Sequence, residues 1–191
     1  MMRHLFWAAV ALAAAVAAHA AFVLYVPGWW FSRAVAQLAA EHGENSFFIL
    51  SDAEQAQLFP GLPRTGVTGL CIFDVAKGDV TFSADLPDGF WVTTIYTDKA
   101  QAIYSVNNRQ SGANNFNVSL SRAPSLIEQI VQATDKEKPE IDSGWTVMSP
   151  EPKGLAVVWY PTPESGLRKI AADAVARSHC SPAPAQAASA E

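Results

Sequence analysis

The chain has 191 residues, 13 Lys and Arg against 18 Asp and Glu, and a net charge of −5. Half of it is hydrophobic and 16% is charged, a globular composition rather than a disordered one. Nucleic acid is excluded as a partner, because no Lys/Arg cluster exists to neutralise phosphates and Lys136 and Lys138 merely alternate with Asp135 and Glu137.

Leu5 to Val26 carries no Asp, Glu, Lys or Arg, with Trp7 near one end and Tyr25, Trp29 and Trp30 at the other. At ~1.5 Å per helical residue, Trp7 to Trp29 covers roughly 33 Å, a bilayer's hydrocarbon core with an aromatic belt at each face. The pattern predicts residues 1–4 as a cytoplasmic N-terminus and 5–27 as a transmembrane helix. No second apolar run returns the chain, so the lipid bilayer is met through one helix and the remainder is exported. The rival reading is a cleaved secretory signal, with Arg3 and His4 as its basic start and Ala18-His19-Ala20 as the cleavage site. The apolar stretch Ala21 to Phe31 favours the anchor, since a cut after Ala20 would leave it in water.

About 160 residues follow the span, the size of one ordinary domain. Pro27-Gly28 is expected to interrupt the membrane helix. Residues 28–46 then read as a juxtamembrane helix and linker, capped by Ser32, carrying Val35, Leu38 and Ala39 on one face and ending at Gly43. An exported β-rich domain is expected over 47–180. Phe47 to Leu50 is a short apolar run, and Phe59 to Gly69, with Pro60, Gly61, Pro63 and Gly66, has loop composition.

Strands follow in quick succession. Cys71, Phe73 and Val75 share a face of Leu70 to Val75, and Val80, Phe82 and Ala84 share a face of the next, so Lys77-Gly78-Asp79 reads as a hairpin turn. Phe90 to Thr97 suits a central strand, turned by Asp98-Lys99-Ala100-Gln101 into Ala102 to Val106. Phe116, Val118 and Leu120 mark another half-buried strand. Pro124 opens a helix with Leu126, Ile127, Ile130 and Val131 on one face, and Pro139 lies beyond its end. Trp145 to Met148 and Leu155 to Tyr160 are two more strands, the second apolar enough for mid-sheet. Thr162 and Pro163 start a last helix with Leu167, Ile170, Ala174 and Val175 inward, and Ser181 to Glu191 reads as a disordered tail. The fold class is therefore α+β: a transmembrane helix, then a mainly antiparallel sheet or sandwich with two or three packed helices.

Cys71 and Cys180 both lie on the exported side, where an oxidising compartment favours a disulfide between them. Two independent thiols, or a metal site at His179-Cys180, are the alternatives. No second ligand lies at a spacing zinc sites use, so no metal or other cofactor is expected. No G-x-S-x-G, H-E-x-x-H, Walker or dinucleotide motif is present. With His4 and His19 beside or within the span, His42 and His179 alone are left to an exported site, and no catalytic residue is assigned.

The residues that most resemble a site are Asp98, Tyr104, Asn107, Asn108 and Arg109, polar groups around one predicted hairpin, with Asp74 as a possible second carboxylate. Arg109 offers a fork for a carboxylate or phosphate on a sugar-like ligand. The structural alternative is turn chemistry, with Arg109 paired to Asp74 or Asp85.

Cys71-Ile72-Phe73-Asp74, Gly89-Phe90-Trp91, Ile95-Tyr96, Ile103 to Arg109 and a cysteine after the last helix together resemble the bacterial domain of unknown function family 1254. Trp91 to Arg109 and Trp145 to Pro161 also look like the related family 1214. The resemblance covers most of the chain after Phe47. It implies a bacterial inner-membrane anchor, a β-rich periplasmic domain and paired cysteines, and it supplies no activity. The expectation is a non-enzymatic module that binds an envelope protein or a small ligand, with an envelope enzyme acting on a sugar or peptidoglycan fragment as the alternative.

Overall fold

A computed structural model describes residues 2–112, 115–125 and 145–183. The first helix, α1 (Met2–His42), is a single 41-residue element. Its residues up to Tyr25 are exposed, and its most apolar stretch, with a mean hydropathy of 2.2, is long enough to cross a bilayer. A signal sequence meets the same criterion. The expected break at Pro27-Gly28 does not occur. Proline removes one N–H, leaving the Val23 carbonyl without its helical partner, a loss that a helix with membrane-spanning composition tolerates.

Nor does Ser32 cap a second helix. It lies mid-helix, its hydroxyl 2.9 Å from the Gly28 carbonyl and 2.7 Å from that of Asp98 in a distant turn. A side chain at Gly28 would sit 3.6 Å from the Lys99 carbonyl oxygen, so the helix passes close against the same turn. From there its buried face, Val35 and Leu38 with Phe31, Ala34 and Ala39 beside them, covers Leu70, Ile72, Leu155 and Val157. The apolar N-terminal stretch and the domain's outer layer are thus one continuous helix. Gly43, at φ +89°, ends it in the left-handed conformation that glycine adopts freely.

The strands are β1 (Ser46–Ile49), β2 (Gly66–Asp74), β3 (Val80–Asp85), β4 (Val92–Thr97), β5 (Ala102–Asn107), β6 (Asn115–Arg122), β7 (Trp145–Ser149), β8 (Lys153–Pro161) and β9 (His179–Pro182). They form two sheets. One runs β1-β2-β8-β4-β5, antiparallel throughout; the other runs β7-β6-β3-β9, with β6 and β7 parallel. Their inner faces enclose a core that includes Phe73, Val80, Phe82, Trp91, Ile95, Phe116, Leu120 and Val158. β8 is central, as its all-apolar sequence predicts, and it is covered on both faces because α1 adds a third layer.

Three short helices complete the described fold: α2 (Asp52–Leu58), α3 (Asn108–Ser111) and α4 (Arg168–Val175). α2 starts on a capping box. Glu54 donates its N–H to Ser51 Oγ at 3.3 Å, and Ser51 donates its own to Glu54 Oε2 at 2.6 Å.

Several expectations need correction. β2 and β3 belong to different sheets, so Lys77-Gly78-Asp79 arches over the edge of the core instead of closing a hairpin. The apolar faces of the two strands pack face to face. β2 starts at Gly66, so part of the expected loop is strand. The last helix begins at Arg168, without a side-chain cap, after a 3-10 turn over Ser165–Leu167. It buries Ala171, Ala174 and Val175 and leaves Leu167 and Ile170 exposed. The expected disordered tail instead supplies Ser181 and Pro182 to β9, opposite Thr81 and Val80. The helix expected after Pro124 falls on 126–144, outside the described residues.

Cys71 and Cys180 form a disulfide with a Cα–Cα distance of 6.0 Å. It ties β2 to β9, and hence one sheet to the other.

Candidate functional site

Of the six polar residues singled out in the sequence, all but Tyr104 divide between two ends of the sandwich. Asp74 ends β2 opposite Lys153, the first residue of β8, and Asp98 follows β4, its N–H donating to the Lys153 carbonyl at 3.2 Å. Lys153 Nζ lies 3.6 Å from Asp74 Oδ2 and also pairs with Glu44. The two aspartates therefore flank one lysine, beside the point where α1 reaches the sheet.

Arg109 stands at the other end of β5, six strand steps away, on the order of 20 Å at ~3.3 Å per residue. Asp74, Asp98 and Arg109 do not converge. Asn107 caps α3, its Oδ1 accepting from the N–H groups of Arg109 and Gln110 at 3.0 and 3.1 Å. Arg109 is exposed and, among the described residues, pairs with neither Asp74 nor Asp85. For Asn107, turn chemistry accounts for the residue.

Asp98 is electrostatically the most constrained of the six. Its Oδ1 is buried without a hydrogen-bond partner. Desolvation by burial, followed by the negative charge of Glu151, pushes its carboxyl above the usual aspartate value, against weaker pulls from Lys99 and Lys153. An acid with a raised pKa in the folded state binds its proton more tightly there than when unfolded. Stability therefore rises as pH falls from the raised value toward 3.8 and is lower above it. Asp98→Asn is accordingly expected to raise the thermal midpoint at neutral pH, with the gain disappearing at acid pH. Melting curves across a pH series read this directly, and an unchanged gain at low pH would refute the assignment to charge.

Tyr104 belongs to a different environment. On the open side of the sandwich, edge strands β5 and β7 approach each other, and aromatic side chains from both sheets meet. The Tyr104 ring stacks on Phe116 at 6.4 Å and meets Trp145 edge-on at 6.2 Å; Phe116 touches Trp145 at 5.9 Å and Trp91 at 6.3 Å. Trp145 faces inward by its register with Val118, yet it is 47% exposed because β7 is an edge. Burial raises the Tyr104 hydroxyl pKa.

Three buried polar atoms lie nearby, just before β4, on it and at the start of α3, without hydrogen-bond partners: Trp91 Nε1, Thr93 Oγ1 and Asn108 Oδ1. Asn108 donates its N–H to the Trp91 carbonyl at 3.4 Å, and Thr93 is two residues further on along the same face. An indole donor, a hydroxyl and an amide carbonyl thus lie buried without partners behind the aromatic cluster, closed to solvent. No sequence motif marks Trp91, Thr93, Phe116 or Trp145 as site residues. Their types suit an ordinary core, and what sets them apart is the meeting of two edge strands distant in sequence.

No family model and no curated protein matches the chain. Among solved structures it is similar to the VPA0106 protein from Vibrio parahaemolyticus, with a TM-score of 0.55 and 12% identity over 83% of this chain and 36% of that one. It is also similar to an uncharacterised protein from Burkholderia cenocepacia, with a TM-score of 0.46 and 12% identity over 77% of this chain and 37% of the other. The chain thus spans little more than a third of the proteins it matches. At this identity the likeness concerns the fold alone.

Proposed function

We propose that this chain is a membrane-anchored binding module of the bacterial envelope, with its sandwich in the periplasm and its recognition surface along the β5–β7 edge. Membership in family 1254 is part of the same proposal, on the motifs quoted above. The observation that carries it is the pair Tyr104 and Trp145, half-buried and exposed respectively, which meet across the β5–β7 edge over buried Phe116. Trp and Tyr dominate the energetics of protein interfaces because they bury large areas at small entropic cost. An edge strand adds backbone donors and acceptors that no neighbour in the described fold uses.

The rod-like α1 supports the anchored reading. A helix that leaves the bilayer and packs directly on the sheet holds the recognition edge at a fixed attitude to the membrane. The enzyme reading loses ground with the separation of Asp98 from Arg109.

A photo-crosslinking residue at Thr146, exposed beside Trp145, tests the proposal in the anchored protein in its own membrane, with Lys77 in the β2–β3 arch as the control position. A discrete adduct at Thr146 that is absent at Lys77 and weakened by Trp145→Ala is the expected result. Equal labelling at both positions, indifferent to Trp145, would remove the β5–β7 edge as the binding surface.

A further inference from the structure

The end of α1 and the start of α2 bring Glu41, His42 and Glu54 together, with their ligand atoms all within 4.8 Å of one another. Each of the three is held by a neighbour outside the trio. Gln37 Nε2 donates to Glu41 Oε1 at 3.4 Å. The His42 ring lies flat on Phe48, with centroids 3.9 Å apart and planes within 13°. The Ser51 N–H fixes Glu54 Oε2 at 2.6 Å, leaving Oε1 turned toward His42. That arrangement is what metal ligands require: donors whose orientation is set before the ion arrives.

The spacing points the same way. His42 Nε2 and Glu54 Oε1 are 3.4 Å apart, a contact as long as that of Gln37 with Glu41. Two donors each ~2.0–2.1 Å from a zinc ion at a tetrahedral angle are separated by roughly 3.3 Å. The same two glutamates line a cleft between the helices, floored by Leu38 and Leu58.

We propose that Glu41, His42 and Glu54 form a zinc site, one imidazole and two carboxylates with water completing the tetrahedron. The ion would fasten α2 to the end of α1 and so lock the outer layer onto the sheet. One imidazole with two carboxylates suits Zn²⁺, whereas all-oxygen sets suit Mg²⁺ or Ca²⁺. Sequence spacing hides such a site. Glu41 and His42 are adjacent, and Glu54 lies on another helix.

The test is calorimetric titration of the full chain in detergent micelles with ZnCl₂, alongside thermal unfolding with and without zinc. Saturable 1:1 binding and a zinc-dependent rise in the midpoint are expected, with MgCl₂ giving neither. Glu54→Gln keeps the capping box, since glutamine serves at that position equally, yet removes a charged ligand. Glu54→Gln, Glu41→Gln and His42→Gln are each expected to weaken zinc binding at least tenfold while the zinc-free midpoint stays near that of the parent. Should one variant fail to fold, the other two carry the test. Absence of saturable binding, or binding that all folded variants retain, the mark of an adventitious ion only, would overturn the site.

Discussion

Replacing Cys71 and Cys180 together with alanine is expected to lower the free energy of unfolding by about 4 kcal/mol, close to the chain-entropy value for a loop on the order of 100 residues. The bridge closes a loop across a sequence separation of 109. It acts on the unfolded chain, by denying it conformations that the unbridged chain visits. It also acts on one element in the folded state. β9 is a four-residue edge strand that pairs with β3 along Val80 to Ser83, and the disulfide is its covalent link to the first sheet, beside its packing on β1. Without the bridge, β9 would open locally at low cost before the sandwich melts. Equilibrium denaturation of the double variant, and of the parent with and without reductant, measures the global term. Hydrogen exchange at His179 to Ser181 measures the local one. An unfolding curve indifferent to reductant would show that the sheets need no tie.

The disulfide was legible in the sequence, while its architectural meaning was not. Two alternating strands joined by Lys77-Gly78-Asp79 present one signal whether they pair edge to edge or arch over a core, because the period of two records which face is buried and not what buries it. The partners that decide the matter are remote: β8 beside β2, and β6 and β9 beside β3. Strands whose identity rests on local alternation, such as β6 with Phe116, Val118 and Leu120 buried, were readable in place. The S-x-x-E signature at Ser51 to Glu54 also stands in the sequence, but the helix it starts is only seven residues long and the loop-like composition that follows masks it.

The candidate site was readable in type and not in place. Asp98 and Arg109 stand eleven positions apart and look like one cluster around a hairpin. The intervening strand sets them at opposite ends of β5, since each extended residue adds ~3.3 Å. Tyr104, midway, joins neither group. It reaches Phe116 and Trp145 through the facing sheet. Sites made where two sheets meet leave no motif, because their members share neither a turn nor a strand.

A chain beginning at Ser46, close to the domain boundary that composition suggested, is expected not to fold, whereas one beginning at Gly28 is expected to fold. The difference is the half of α1 that carries Phe31, Ala34, Val35, Leu38 and Ala39 over the outer face of the first sheet. Without it Leu70, Ile72, Leu155 and Val157, each at most 4% exposed, meet water. At about 1.5–3 kcal/mol for each large aliphatic side chain uncovered, and with Val35 and Leu38 lost besides, the deficit rivals the ~5–15 kcal/mol that holds an ordinary domain together. The shorter chain should aggregate or lack near-ultraviolet circular dichroism. The longer one should unfold cooperatively and keep the Ser32–Asp98 contact. A cooperative transition in the shorter chain at the midpoint of the longer would show that α1 is only a tether. Cleavage after Ala20 falls outside the required half, so the sandwich should keep its stability whether or not the apolar segment is removed. Anchoring is therefore separable from folding, and mass analysis of the mature N-terminus decides the first while the two truncations decide the second.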